Sequence, residues 1–190
     1  MDEQKIIKQC LRGDQNAFGE LYEAYIKKIY NFVYYKTHHK ETAQDLTSLT
    51  FLKALEKLAL YKQEAGSFSS WLYQIARNNV IDFYRTKKSD ANIDDAFDLH
   101  DDHDFLQDID TQTKLSAVKN HLQKLNSTQR EIIILRVWEE LDYEEISKIV
   151  GKTADNCKMI FSRGLKALKQ SMGLPLLLYF FTLNLKNLWP

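Results

Sequence analysis

Only two prolines and six glycines punctuate the 190 residues. With so few breakers, long stretches are free to stay helical. Sustained alternation of period two is also missing, which removes the main sign of half-buried strands. The expected fold class is therefore all-α. Two cysteines, Cys10 and Cys157, stand far apart with neither pairing nor metal-ligand spacing. That usage suits free thiols in a reducing compartment better than a disulfide framework. The opening residues MDEQKIIKQCLRGDQ are charged and lack the apolar core of a signal peptide, so a cytoplasmic location is expected. No Gly-rich phosphate loop, nucleophile elbow or paired set of metal ligands is present, which argues against an enzyme and against a cofactor.

Net charge is the last absence, and it conceals structure. The formal charge is zero, yet residues 1–89 hold 14 basic and 10 acidic side chains, residues 90–113 hold none and 9, and residues 114–190 hold 12 and 7. The middle segment, DANIDDAFDLHDDHDFLQDIDTQT, repels itself and has little to bury, so it is expected to be a flexible acidic linker between two mildly basic helical domains. His100 and His103 lie among Asp101, Asp102 and Asp104, but their spacing matches no closed metal site and the calcium-loop glycine is missing. No metal is expected.

With 44% hydrophobic residues the chain can build real cores. In AFGELYEAYIKKIYNFVYYK, Phe18, Leu21, Tyr22, Tyr25, Ile29, Phe32 and Val33 recur at helical intervals and form a core stripe. In the next helical stretch Ala43, Leu46, Leu49 or Thr50, Leu55 and Leu58 are set to pack, with Asp45, Lys53 and Lys57 turned elsewhere. A loop, YKQEAGSFSS, follows, and Ser69 or Ser70 is placed to cap a helix starting at Trp71. That helix, WLYQIARNNVIDFYRTKKS, gathers Leu72, Ile75, Ala76 and Phe83 on one face. Tyr73, Arg77, Tyr84 and Lys88 fall together on another, which is expected to face solvent.

Toward the C-terminus, Thr128 with Glu131 and Asp142 with Glu145 have the spacing of N-terminal capping boxes. A short helix from Tyr143 to Val150 is expected to end at Gly151, with another beginning near Ala154 after a three-residue turn. This is the spacing of a helix-turn-helix, although an ordinary helical hairpin with a glycine turn has the same spacing. A recognition helix here would present Asn156, Lys158, Arg163 and Lys166. The closing stretch GLPLLLYFFTLNLKNLWP has an apolar run from Leu174 to Leu183, broken by Pro175 and shorter than the roughly 18 residues of a membrane span. It is expected to pack on the second domain, occlude a surface or meet a partner. Interfacial membrane contact, motivated by Tyr179, Phe180, Phe181 and Trp189, is the lesser alternative.

Taken in order, AFGELYEAY, DLTSLTFLKAL, FSSWLYQIARNNVIDFYR and LQKLNSTQREIIILRVWEELDYEEISKIVGKT resemble the bacterial sigma factors, specifically the short extracytoplasmic-function group of the sigma-70 family. The resemblance covers roughly residues 5–172 and implies four segments. Residues 1–89 would bind the polymerase clamp and the minus-ten element, 90–113 form the linker, 114–173 bind the minus-thirty-five element, and 174–190 are an apolar tail outside the family pattern. It further implies core RNA polymerase, promoter DNA and an anti-sigma inhibitor as partners, no cofactor, and a role in transcription initiation under stress or envelope signals. By the same likeness Asp45, Leu46, Phe51 and Lys53 would meet the polymerase. Tyr61, Phe68, Trp71, Tyr73, Arg77, Asn78, Tyr84, Arg85 and Lys88 would meet unpaired minus-ten DNA. Lys152, Thr153, Asn156, Lys158, Arg163 and Lys166 would meet the minus-thirty-five duplex. Aromatic faces suit stacking on unpaired bases, with Arg and Lys on the phosphates. The pattern departs at Ser48 and Leu49, where the family has Gln followed by an acid. It departs again from Cys157 to Phe161, where the family has a more basic and hydroxylic run. An independent helix-turn-helix regulator is the alternative function. It explains the later helices but leaves the Trp71 helix without a task.

Overall fold

A computed structural model describes residues 2–37, 39–87, 117–118 and 120–182. These form two compact units. All the regular structure among the described residues is helical, as expected. The acidic segment, with His100 and His103, lies outside the described residues, as do Lys88 and Trp189.

The first unit contains α1 (Glu3–Leu11), α2 (Gln15–Thr37), α3 (Lys40–Lys57) and α4 (Phe68–Lys87). Helix α2 buries Leu21, Tyr25, Ile29, Phe32 and Val33, so most of its stripe is core, while Tyr22 remains 43% exposed. Helix α3 buries Ala43, Leu46, Thr47, Thr50, Phe51 and Ala54. Contrary to expectation, Leu55 points outward. Between α3 and α4 the chain makes two single 3₁₀ turns, Leu58–Leu60 and Gln63–Ala65. Helix α4 then starts three residues earlier than its pattern suggested. Its cap is Ser67, whose Oγ accepts from the Ser70 amide at 3.1 Å, while the Ser70 hydroxyl donates to the Ser67 carbonyl. A serine at the N-cap needs its oxygen aimed at the third amide of the helix. The aromatic Phe68, fully buried, pulls the helix start back to that point.

The second unit contains α5 (Ser127–Val137), α6 (Tyr143–Val150), α7 (Ala154–Ser171) and α8 (Leu174–Thr182). Here too one cap differs from expectation. Asn126, not Thr128, closes a reciprocal box with Gln129; an asparagine oxygen accepts from the N3 amide as well as a hydroxyl does. The Asp142–Glu145 box is present as expected. Helix α6 ends at Gly151 in the left-handed region (φ +69°, ψ +39°), where a side chain would be strained. Thr153 caps α7 by accepting from the Asn156 amide at 3.2 Å. Arg130 is buried and donates to the carbonyls of Leu122, Gln123 and Leu125, satisfying the open end of the preceding helical stretch.

Helices α5 and α7 approach closely at Gly164. A Cβ there would sit 2.8 Å from Ile133 Cδ1 and 3.4 Å from Gln129 Cβ, and Ile133 is fully buried with little room to yield. Gly164→Leu is therefore expected to lose about 1–3 kcal/mol through overpacking, read as a lower urea midpoint for this unit.

The tail's α8 packs on its own unit. Phe180 is fully buried with its ring 5.4 Å from that of Trp138, and Leu177, one turn earlier on the helix, is buried as well. No helix among the described residues is long and apolar enough to cross a membrane.

Candidate nucleic-acid and polymerase interface

Helix α4 is embedded more deeply than its sequence suggested. Of the stripe of Tyr73, Arg77, Tyr84 and Lys88 expected to face solvent, the two tyrosines are instead buried: Tyr73 is 1% and Tyr84 9% exposed. The Tyr73 ring meets Phe32 edge-on at 5.1 Å. The Tyr84 hydroxyl donates to the Lys36 carbonyl at 3.0 Å, and burial pushes its pKa up. A tyrosine whose hydroxyl has a partner buries as readily as phenylalanine. The outer face is instead rotated by about 100°, one residue of helix. It runs through Trp71, Gln74, Asn78 and Arg85, of which Asn78 and Arg85 are exposed. Arg85 also pairs with Asp82 at 3.0 Å. Gln74 was missed in the sequence, although its spacing from Trp71 and Asn78 places all three on one face. Arg77 is half-buried.

At the N-terminal end of this face the α3–α4 loop closes on itself. The Tyr61 hydroxyl donates to the Gly66 carbonyl at 3.0 Å, and Gly66 takes φ +155°, ψ 172°, a conformation nearly confined to glycine. Rings of Tyr61, Phe68 and Trp71 lie 5.5–5.8 Å apart in a three-membered cluster. Phe68 is its buried floor, with no face open for stacking, whereas Tyr61 and Trp71 are partly open.

Helix α3 presents a second surface. Leu46 and Phe51 are buried, and Lys53 donates to Asn79 Oδ1 on α4. Asn79 in turn donates to Thr50, whose hydroxyl donates to the Leu46 carbonyl. Three of the four residues assigned to polymerase by resemblance thus serve the fold, and only Asp45 is openly exposed. On the pole opposite the core, however, Leu52 and Leu55 are 54% and 51% exposed. With Asp45 and Ser48 they occupy one side of the helix at spacings of three and four. Two exposed leucines on an otherwise polar face carry no packing role within this unit.

In the second unit Lys152, Thr153, Lys158, Arg163 and Lys166 are exposed and Asn156 is half-exposed. Lys158, Arg163 and Lys166 share one side of α7 with Met159 and Ser162. Cys157 faces inward, fully buried, with its thiol pKa raised by that burial. Phe161 meets Tyr143 of α6 at 6.0 Å. A short helix, a left-handed glycine turn and a second helix with a basic outer side are what a major-groove reader requires. Among the described residues, no cluster of His, Cys, Asp or Glu could hold a metal.

Two helical units with these features define a sigma-type transcription factor, and comparison with known proteins agrees. Residues 21–89 match Sigma-70 region 2, and residues 115–168 match Sigma-70, region 4. The chain is 30% identical over 167 residues to the RNA polymerase sigma factor YlaC of Bacillus subtilis, covering 83% of this chain and 93% of that one. It is 29% identical over 171 residues to the ECF RNA polymerase sigma factor BldN of Streptomyces coelicolor, covering 86% of this chain but spanning only 63% of that relative. Among solved structures, CnrH in complex with the cytosolic domain of CnrY shares the fold, with a TM-score of 0.68 at 20% identity, over 88% of this chain and 95% of that one. The chain belongs to the extracytoplasmic-function sigma factors of the sigma-70 family, which are transcription initiation factors.

Proposed function

We propose that this protein binds core RNA polymerase through the outer side of α3, directs it to promoters with α7 and α4, and assists opening of the minus-ten duplex. The exposed Leu52–Leu55 face carries the polymerase assignment. An independent DNA-binding regulator has no use for it. In this reading residues 1–89 serve the clamp and minus-ten element, 114–173 the minus-thirty-five element, and 90–113 tether them. Of the minus-ten candidates, Tyr61, Trp71, Asn78 and Arg85 supply contacting groups, and Phe68, Tyr73 and Tyr84 hold them in place from the core. Stacking on the open aromatics, at about 1–3 kcal/mol per base, offsets the few kcal/mol of unstacking. Catalysis stays with the polymerase. The protein works in the cytoplasm, under stress or envelope signals, and is held by an anti-sigma inhibitor, as the sigma factor RpoE is in its co-crystal structure with the anti-sigma factor NepR from Bartonella quintana.

The test is co-elution with cognate core polymerase. Leu52→Asp with Leu55→Asp is expected to weaken binding at least about 30-fold, the effect of losing a central apolar anchor. Both positions are surface sites, so the variant should melt like the parent. Full binding by the folded double variant would refute the assignment to α3.

A further inference from the structure

Helix α1 lies before the first residue matched to Sigma-70 region 2, which begins at residue 21, yet it is built into the candidate minus-ten site. Asp2 caps it, accepting from the Lys5 amide, and Ile6 and Ile7 are buried at 5% and 3% exposure. It packs on α2 and lies against the Leu58–Leu60 turn. Its first turn then reaches two tyrosines. The Tyr25 hydroxyl donates to Glu3 Oε1, and the Tyr25 ring stands edge-on to Phe68 at 5.7 Å. The Gln4 side chain lies beside Tyr61 and favours its charged form. The Tyr61 hydroxyl donates to the Gly66 carbonyl, so the phenol ties the loop it closes to the side where Gln4 of α1 stands. Apart from this, Lys62, Gln63 and Glu64 at the loop's crest are exposed. A segment with so few buried contacts takes its rigidity from its anchors.

We propose that α1 positions the Tyr61–Gly66 loop for capture of an unpaired non-template base, with Gln4 acting through Tyr61 and Glu3 acting through Tyr25. Both are positioning residues, and the proposal rests on the minus-ten role given to this loop above. Preorganising a loop lowers the cost of ordering it on binding, so loss of Glu3 and Gln4 should blunt discrimination among bases more than attachment to polymerase.

The test uses the full chain in two arms. In the first, amide hydrogen exchange over residues 61–67 is compared between the parent, Glu3→Leu with Gln4→Leu, and Glu3→Gln, which keeps an acceptor for Tyr25. Loop exchange about tenfold faster in the double-leucine variant and near parental in Glu3→Gln is expected; unchanged exchange in the double variant overturns the proposal. In the second, each protein is assembled with core polymerase and challenged with a randomised library of forked DNA carrying single-stranded non-template positions. The double variant is expected to bind core normally and to lose most of the parent's base preference at the position crosslinked to the loop. A loosened loop with preference intact also overturns the proposal. If the parent itself shows no base preference there, the minus-ten role of the loop falls and the proposal with it. That outcome is told apart because loop exchange still responds to the variants.

Discussion

Tyr73→Ala should unfold the first unit well before it dulls any promoter contact. The ring is 1% exposed and packed edge-on to Phe32 on α2, so truncation leaves a cavity where α2 and α4 meet. For a fully buried aromatic the expected loss is about 3–5 kcal/mol, a large part of the roughly 5–15 kcal/mol that holds a domain together. The measurement is urea denaturation of the isolated protein followed by loss of helical signal. Asn78→Ala, on the exposed face of the same helix, should stay within about 0.5 kcal/mol of the parent. If Tyr73→Ala melted like Asn78→Ala, the ring would be facing solvent after all and the rotation of α4 described above would be wrong.

The error in reading α4 from its sequence has a physical source. Periodicity sorts residues by face, and the spacing that groups Tyr73 and Tyr84 with Arg77 and Lys88 sends both rings outward with the charges. In the fold, Tyr84 spends its hydroxyl on the Lys36 carbonyl. Asn79, polar by any scale, is 2% exposed because its amide bridges Lys53 and Thr50. Both are long-range pairings, between residues 48 and 26–29 apart in sequence, and a helical wheel contains no term for them. Local signals sufficed at Asp142 and Gly151, whereas the caps expected at Thr128 and at Ser69 or Ser70 gave way to Asn126 and Ser67. Asp142 and Glu145 meet across one turn, and Gly151 adopts the one backbone state for which glycine is specially suited. The basic side of α7 was likewise legible, since charge on a capped helix seldom finds its way inside.

Leu52 and Leu55 show the converse limit. A leucine among charges at helical spacing reads as core, and Leu55 was expected there. Only the position of Ala43, Thr47, Thr50 and Ala54 on the opposite side reveals that the core was already complete without it. An exposed apolar pair is informative because it departs from the rule that buries such residues, and that departure cannot be seen until the core is known.

Phe180→Ala is expected to destabilise the second unit by about 3–5 kcal/mol, although this residue lies beyond the last one matched to Sigma-70, region 4, at position 168. Phe180 is fully buried against Trp138 at the end of α5, and the Trp138 indole N–H points to the Phe180 carbonyl at 3.5 Å. Phe181, its neighbour, is 47% exposed and supplies the control: Phe181→Ala should change stability by no more than about 0.5 kcal/mol. The two variants remove the same atoms one residue apart, so composition and local helix propensity cancel in the comparison. Equal urea midpoints would mean that α8 does not dock, and that the tail is an appendage to a unit already complete at α7. A lower midpoint for Phe180→Ala alone would mean that this chain has extended its core past the family's boundary. Trp138 and Met172 would then be surfaces shaped by the tail, and removal of residues 174–190 would cost stability before it tested any role in partner binding.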